Sequence, residues 1–203
     1  MPRGHATAGA DDPGQRTAQT KILLDSNSYF RLAKSIHPLL FQEFGETRYC
    51  LYVLPELQGE YDRQPRLKAK FPWVDEPDFR ANRQQSPKLS KQQKGARQTA
   101  FDVMWDYVQT DLPGPSRVDV TILSYGYVLG ISVVTDDGDM RALGDVFGVS
   151  LMNTVELLKL MLDCGLIDMV KVRGVASYLA YLPDLPRGFA EDFQRLFGEV
   201  APT

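Results

Sequence analysis

The sequence predicts an α/β fold in which a central parallel sheet is covered by helices on both faces, a three-layer α/β/α arrangement. Three observations predict it. Short apolar runs rich in β-branched and aromatic residues alternate with segments of helical period. Several of these runs end directly in an acid or a helix-starting residue. The length, 203 residues, suits one substantial domain with an insertion and an extension rather than two domains. The expected boundaries are a tail over 1–20, the α/β domain over 21–165 with a long basic insertion over 61–115, and a C-terminal helical extension over 166–203.

The run at 21–24 reads as a buried strand, and Asp25-Ser-Asn-Ser28 after it starts a helix to about Lys34. Residues 48–54, with Tyr49, Tyr52 and Val53, form a second strand. Pro55 then opens a helix where its missing N–H has no consequence. The polar stretch 62–98, with four prolines, is expected to hold one short helix near 78–84. Phe101, Met104, Trp105 and Val108 recur at helical spacing. Ser116 and Asp119 have the form of a capping box opening an apolar helix that Gly130 ends. A strand at 131–134 leads through Thr135-Asp-Asp-Gly138 into a helix carrying Met140, Leu143 and Phe147. A short strand at 150–152 precedes a helix capped by Thr154, and further helices follow over 167–181 and 189–197.

Charge is unevenly distributed. Residues 61–98 carry ten Lys/Arg against four Asp/Glu, about +6, which leaves about −9 elsewhere given the net charge of −3. An acidic body with a basic strip suits a cation site that must still attract a polyanion. The first twenty residues lack the apolar middle of a secretory signal and are expected to be a disordered tail. No apolar run is long enough to span a bilayer. Cys50 and Cys164 sit far apart in apolar surroundings and are expected to be free thiols in a reducing, cytoplasmic setting. Having only His5 and His37 argues against a Ser–His–Asp triad or a histidine-rich zinc site, and no Gly-rich phosphate loop precedes a Lys-Ser/Thr pair.

The chemistry therefore rests on carboxylates. Asp25, Glu56 and the pair Asp136–Asp137 directly follow predicted strands, so they should lie at the carboxyl edge of the sheet, where such folds bind ligands. Asp119 joins them only if its helix folds back to that edge. Taken singly, each acid also serves as a helix cap or dipole partner. Together they would form a set of hard oxygen donors suited to Mg²⁺ or Mn²⁺. Glu60, one turn after Glu56, is expected to support that set from behind or face solvent, and Asp139 to face solvent.

The ordered series Leu23-Leu-Asp25-Ser-Asn27, Val53-Leu-Pro-Glu56-Leu57, Val118-Asp119 through Leu129-Gly130, and Val133-Val-Thr135-Asp-Asp137 resembles the motifs of PIN-domain nucleases, which include the toxin ribonucleases of bacterial toxin–antitoxin pairs. The resemblance covers 21–57 and 116–162. It implies a PIN-like domain that binds Mg²⁺ or Mn²⁺ and hydrolyses single-stranded RNA. By match, Asp25, Glu56, Asp119 and Asp137 are the four acids, Asp136 is the alternative to Asp137, and Asn27 is the polar neighbour of the first acid, with Ser26 and Thr135 as further polar support. The basic insertion, the tail and the extension depart from the compact toxins.

The expectation is thus a metal-dependent endoribonuclease. Arg63, Arg66, Lys68, Lys70, Arg80 and Arg83 would guide the RNA backbone. Phe71, Trp73 or Phe79 would either stack on bases or anchor the insertion to the core. The alternative is a non-catalytic module of the same fold that binds RNA or a protein. An antitoxin is an expected partner under the first reading. The apolar helices over 154–164 and 170–182 offer either a homodimer surface or core.

Overall fold

The run Thr20–Leu24 forms β1, at the centre of the sheet. The structure, a computed structural model, describes residues 18–202. The tail expected over 1–20 lies outside the described residues except for its last three, and Thr20 already belongs to β1. Helix α1 (Ser26–Leu32) follows directly. A two-residue strand β2 (Glu43–Phe44) leads into β3 (Tyr49–Tyr52). Helix α2 (Glu56–Arg63) opens after Pro55. Later come α6 (Arg117–Leu129), β4 (Ser132–Val134), α7 (Gly138–Val146), β5 (Leu151–Met152) and α8 (Thr154–Asp163). Helices α9 (Met169–Tyr181) and α10 (Phe189–Phe197) complete the chain.

The strand order is β2-β3-β1-β4-β5. β1 pairs in parallel with both β3 (Ile22 opposite Leu51) and β4 (Leu23 opposite Val133), and β4 pairs in parallel with β5. Only β2, at one edge, is antiparallel. The chain therefore runs outward from β1 to β3, then returns across β1 to β4. This reversal puts the switch of direction between β1 and β4, and sheets of this kind bind ligands beyond the carboxyl ends of the strands at such a point.

Strand alternation divides the core into two. Ile22 and Leu24 face one side with Leu51, Val134 and the apolar faces of α1, α8, α9 and α10. Leu23 faces the other with Val133 and the apolar residues of α6 and α7. The sheet thus has helices on both faces. The apolar faces of α8 and α9 (Val155, Leu158, Met161, Val172, Val175, Leu179) are buried in the chain's own core. No helix among the described residues is long and apolar enough to cross a membrane.

The insertion is more helical than its composition predicts. It holds α3 (Pro65–Lys70), a 3-10 turn (Pro72–Asp75), α4 (Pro77–Asn82) and the first half of α5 (Lys91–Thr110). The three prolines sit at first-turn positions, where they start helices rather than break them. The polar start of α5 has no apolar period to reveal it. It is fixed by a capping box between Ser90 and Gln93 and by strong helix formers. At α8 the cap is Asn153, boxed with Glu156, and not Thr154. Thr154 stands one position inside the helix, where its hydroxyl donates to Asp136.

The aromatic residues of the insertion anchor it. Phe71 stacks on Phe30 with ring centres 5.2 Å apart, and Trp73 lies against Tyr29 and Phe79. Phe71 and Trp73 are buried, which withdraws both rings from base stacking. Arg83 is likewise enclosed: its guanidinium donates to Tyr29 Oη, Gln58 Oε1 and the Val74 carbonyl. It holds α4 to α1 and α2 and is not free to meet a phosphate. Trp73→Ala should therefore lower stability by about 3–5 kcal/mol through the cavity it leaves, read by urea unfolding. A ring serving only RNA would change stability by a few tenths.

Candidate metal centre

Asp25 follows β1 at its carboxyl end. Its backbone N–H still donates to the Val134 carbonyl (3.0 Å), so its position is fixed by the sheet. The side chain caps α1, with Oδ1 accepting from the Ser28 N–H (2.5 Å). Oδ2 accepts from the Thr135 hydroxyl (2.7 Å) at the end of β4. Thr135 Oγ1 in turn accepts from the Asp137 N–H (3.1 Å), and Asp137 Oδ1 caps α7 at Met140 N (2.8 Å). A continuous hydrogen-bond chain thus joins Asp25, Thr135 and Asp137 across the ends of β1 and β4. Ser28 and Thr135 thus hold the Asp25 carboxylate from both of its oxygens.

Asp119 reaches the same edge because α6 folds back. Gly130, in the left-handed conformation (φ 61°), ends α6 two residues before β4 begins. The helix therefore runs against the strand direction and brings its first turn to the carboxyl edge. Asp119 Oδ2 accepts from the Ser116 N–H (2.7 Å), and Ser116 Oγ accepts from the Asp119 N–H (3.2 Å), which is the expected capping box.

The electrostatics tie these acids together. Burial pushes the Asp25 carboxyl up to about 6, against hydrogen bonds from Ser28 and Thr135 that favour its charge; the neighbouring Asp136 charge raises it further. Burial also raises Asp119 above the usual carboxylate range, opposed by the Ser116 hydrogen bonds and reinforced by the charges of Asp137 and Glu60. Glu60 therefore shares the field of Asp119 and Asp137, a closer role than its spacing suggested. The signal was its place one helical turn after Glu56. Glu56 lies in the first turn of α2, and its Oε2 is buried with no hydrogen-bond partner. Ser26 Oγ, beside Asp25, is also buried without one.

Asp136 stands apart. Its Oδ1 accepts from the Thr154 N–H (2.9 Å), and its Oδ2 accepts from the Thr154 hydroxyl and pairs with Arg31 Nη1 (2.9 Å). Both oxygens are engaged in fastening α1, the end of β4 and the start of α8. Of the adjacent pair, Asp137 is the one with an oxygen left open. Asn27 is exposed on the first turn of α1. Among the expected RNA contacts, Lys68 pairs with Asp62, Lys70 with Asp184 and Arg80 with Asp75, while Arg63 and Arg66 are exposed on α2 and α3. Both cysteines are free.

Among the described residues, no three His, Cys, Asp or Glu side chains are gathered closely enough to enclose an ion as they stand. The donor chemistry nevertheless fits a hard divalent cation. It comprises carboxylates raised by burial and by one another, with one buried carboxylate oxygen lacking any partner. The fold and this edge define an α/β protein with acids at the helix starts along the reversal point of a mostly parallel sheet. Comparison of the chain with protein-family models, curated proteins and solved structures gives no match.

The raised Asp25 value has a signed consequence. Between its ordinary 3.8 and about 6 the folded state holds a proton that the unfolded state has released. Stability from this group is therefore complete below pH 3.8 and is lost as pH rises through 6. The loss approaches roughly 3 kcal/mol above pH 7. In metal-free buffer, wild type should lose stability relative to Asp25→Asn as pH rises from 4 to 7. A pH-independent difference between the two melting curves would contradict the assignment.

Proposed function

We propose that this protein is a Mg²⁺- or Mn²⁺-dependent endoribonuclease with a PIN-like domain, acting on single-stranded RNA. The observation that carries the reading is the hydrogen-bond chain from Asp25 through Thr135 to Asp137 at the carboxyl ends of β1 and β4, with the charges of Asp137 and Glu60 acting on Asp119. Asp25, Asp119 and Asp137 would hold the ion, with Glu56 and Glu60 completing the acidic wall. A divalent ion held there supplies Lewis acidity toward a phosphodiester oxygen and lowers the pKa of a water. The chain's own part is to orient the donors. Ser28 and Thr135 fix the Asp25 carboxylate, Ser116 fixes Asp119, and the Met140 N–H fixes Asp137.

Asp136 is outside the proposed donor set, because Arg31 and Thr154 occupy it. An antitoxin partner and a cytoplasmic setting belong to the toxin form of this reading. The capping role of Asp25, Asp119 and Asp137 favours a second reading, a non-catalytic module that keeps its acids as helix caps. Calorimetry separates the two, since only the first requires Mn²⁺ to bind below the millimolar range.

Asp25→Asn, Asp119→Asn and Asp137→Asn should each lower Mn²⁺-dependent cleavage of single-stranded RNA by about 100-fold or more. Asp136→Asn should instead lower the melting temperature and spare most activity per folded molecule. Because the ion requires ionised carboxylates, cleavage at sub-saturating Mn²⁺ should climb as pH rises and the Asp25 carboxyl, raised to about 6 in the metal-free protein, loses its proton, and this rise should move to lower pH as Mn²⁺ is increased. Full activity in folded Asp25→Asn would overturn the proposed role.

A further inference from the structure

We propose that the paired face of α5 and α6 is a track for single-stranded RNA leading to the acidic edge, with Trp105 as its stacking platform and Arg117 and Arg97 as its phosphate contacts. This rests on the nuclease reading and extends it. The two helices pack as an antiparallel hairpin, and each contributes one row at four-residue spacing. The rows are Arg97, Phe101, Trp105 on α5 and Arg117, Thr121, Tyr125 on α6. Arg117 lies over both Trp105 (4.9 Å) and Phe101 (5.1 Å), and Arg97 lies over Phe101 (5.9 Å) and Tyr125 (5.7 Å). Phe101 and Trp105 are nearly parallel, with an interplanar angle of 14°. Guanidinium planes and rings thus interleave along roughly 12 Å of helix.

Three features set this face apart from the expected RNA contacts in the insertion. Trp105 is half-exposed, whereas Trp73 is buried. Neither Arg97 nor Arg117 has a carboxylate partner among the described ion pairs, whereas Lys68, Lys70 and Arg80 all do. The track also ends at the same edge of the sheet, because Arg117 and Asp119 share the first turn of α6; their side chains leave opposite sides of the helix, so a strand on the track reaches the acids by rounding the helix start. Arg planes and aromatic faces together stack on bases without sequence preference, and guanidinium N–H groups donate to phosphate oxygens; Arg97 spends one such group on Gln98 (2.9 Å) and keeps the others for a ligand. The neighbouring ridge of α5 carries the exposed acids Asp102 and Asp106. They repel a polyanion and confine it to the α6 side of the strip.

The test uses the full chain carrying Asp119→Asn, in EDTA, with a fluorescein-labelled unstructured RNA of about 12 nucleotides. Arg97→Gln and Arg117→Gln should each weaken binding about three- to tenfold. Each should also flatten the slope of log K against log salt by about 0.7, as loss of one phosphate contact requires. RNA should quench the emission of Trp105, an effect absent in Trp105→Phe. Unchanged affinity and slope in folded variants, with cleavage by the wild type intact, would overturn the track and leave the nuclease reading standing; the interleaved face would then only lock the hairpin or meet a protein. No RNA binding by the parent together with no cleavage by wild type would overturn both.

Discussion

The Asp25 carboxylate is the interaction on which this architecture turns. It closes three contacts at once: a cap on α1, a bond to Thr135 at the end of β4, and through Thr135 a link to the start of α7. Its own amide holds to Val134, so the side chain is registered to the sheet rather than to a loop. The cost of that position is burial of a charge, visible in a carboxyl displaced to about 6. A carboxylate used only as a cap could stay at the surface, as Asp168 does at the start of α9.

The acidic edge is tolerable because of what else converges on it. Helices α1, α2, α6 and α7 all begin there, with an acid at the cap or in the first turn of each. Their N-termini present partial positive charge and unpaired N–H groups, which offset part of the repulsion among the carboxylates. Helix polarity, which follows from the parallel connections, therefore gathers negative side chains at one rim. A divalent ion would complete a neutralisation that the backbone only begins. The Arg31–Asp136 pair works alongside it, and Arg31 also faces Asp184 (3.5 Å) in the segment between α9 and α10. The extension is fastened next to this edge by that contact.

Much of this was legible in the sequence, for identifiable reasons. Apolar runs ending in Asp25 and Thr135 marked β1 and β4 because buried parallel strands tolerate few polar residues. The Ser116–Asp119 box was readable because both partners are local in sequence. Other features depend on contacts distant in sequence. Nothing near Asp136 announces that Arg31 and Thr154 will occupy it, so the choice between Asp136 and Asp137 required the fold. The insertion read as irregular because proline and polar residues have different meanings at a helix start and in its interior. Trp73 and Arg83 looked available to a ligand until Tyr29 and Gln58 were brought beside them. Glu60 lacked a strand directly before it; its place one turn after Glu56 hinted at a role, and its charge acting on Asp119 supports it.

The central claim is that Asp25, Asp119 and Asp137 serve one divalent ion. Paramagnetic broadening of backbone amide resonances during a Mn²⁺ titration tests it most directly. Mn²⁺ should cause early, saturable loss of the amide signals around Asp25–Ser28, Thr135–Asp137, Asp119 and Glu60, with Asp119→Asn abolishing it at the same metal concentration. Broadening scattered over surface carboxylates such as Asp102, Asp163 and Glu191, with those amides unaffected, would contradict the claim.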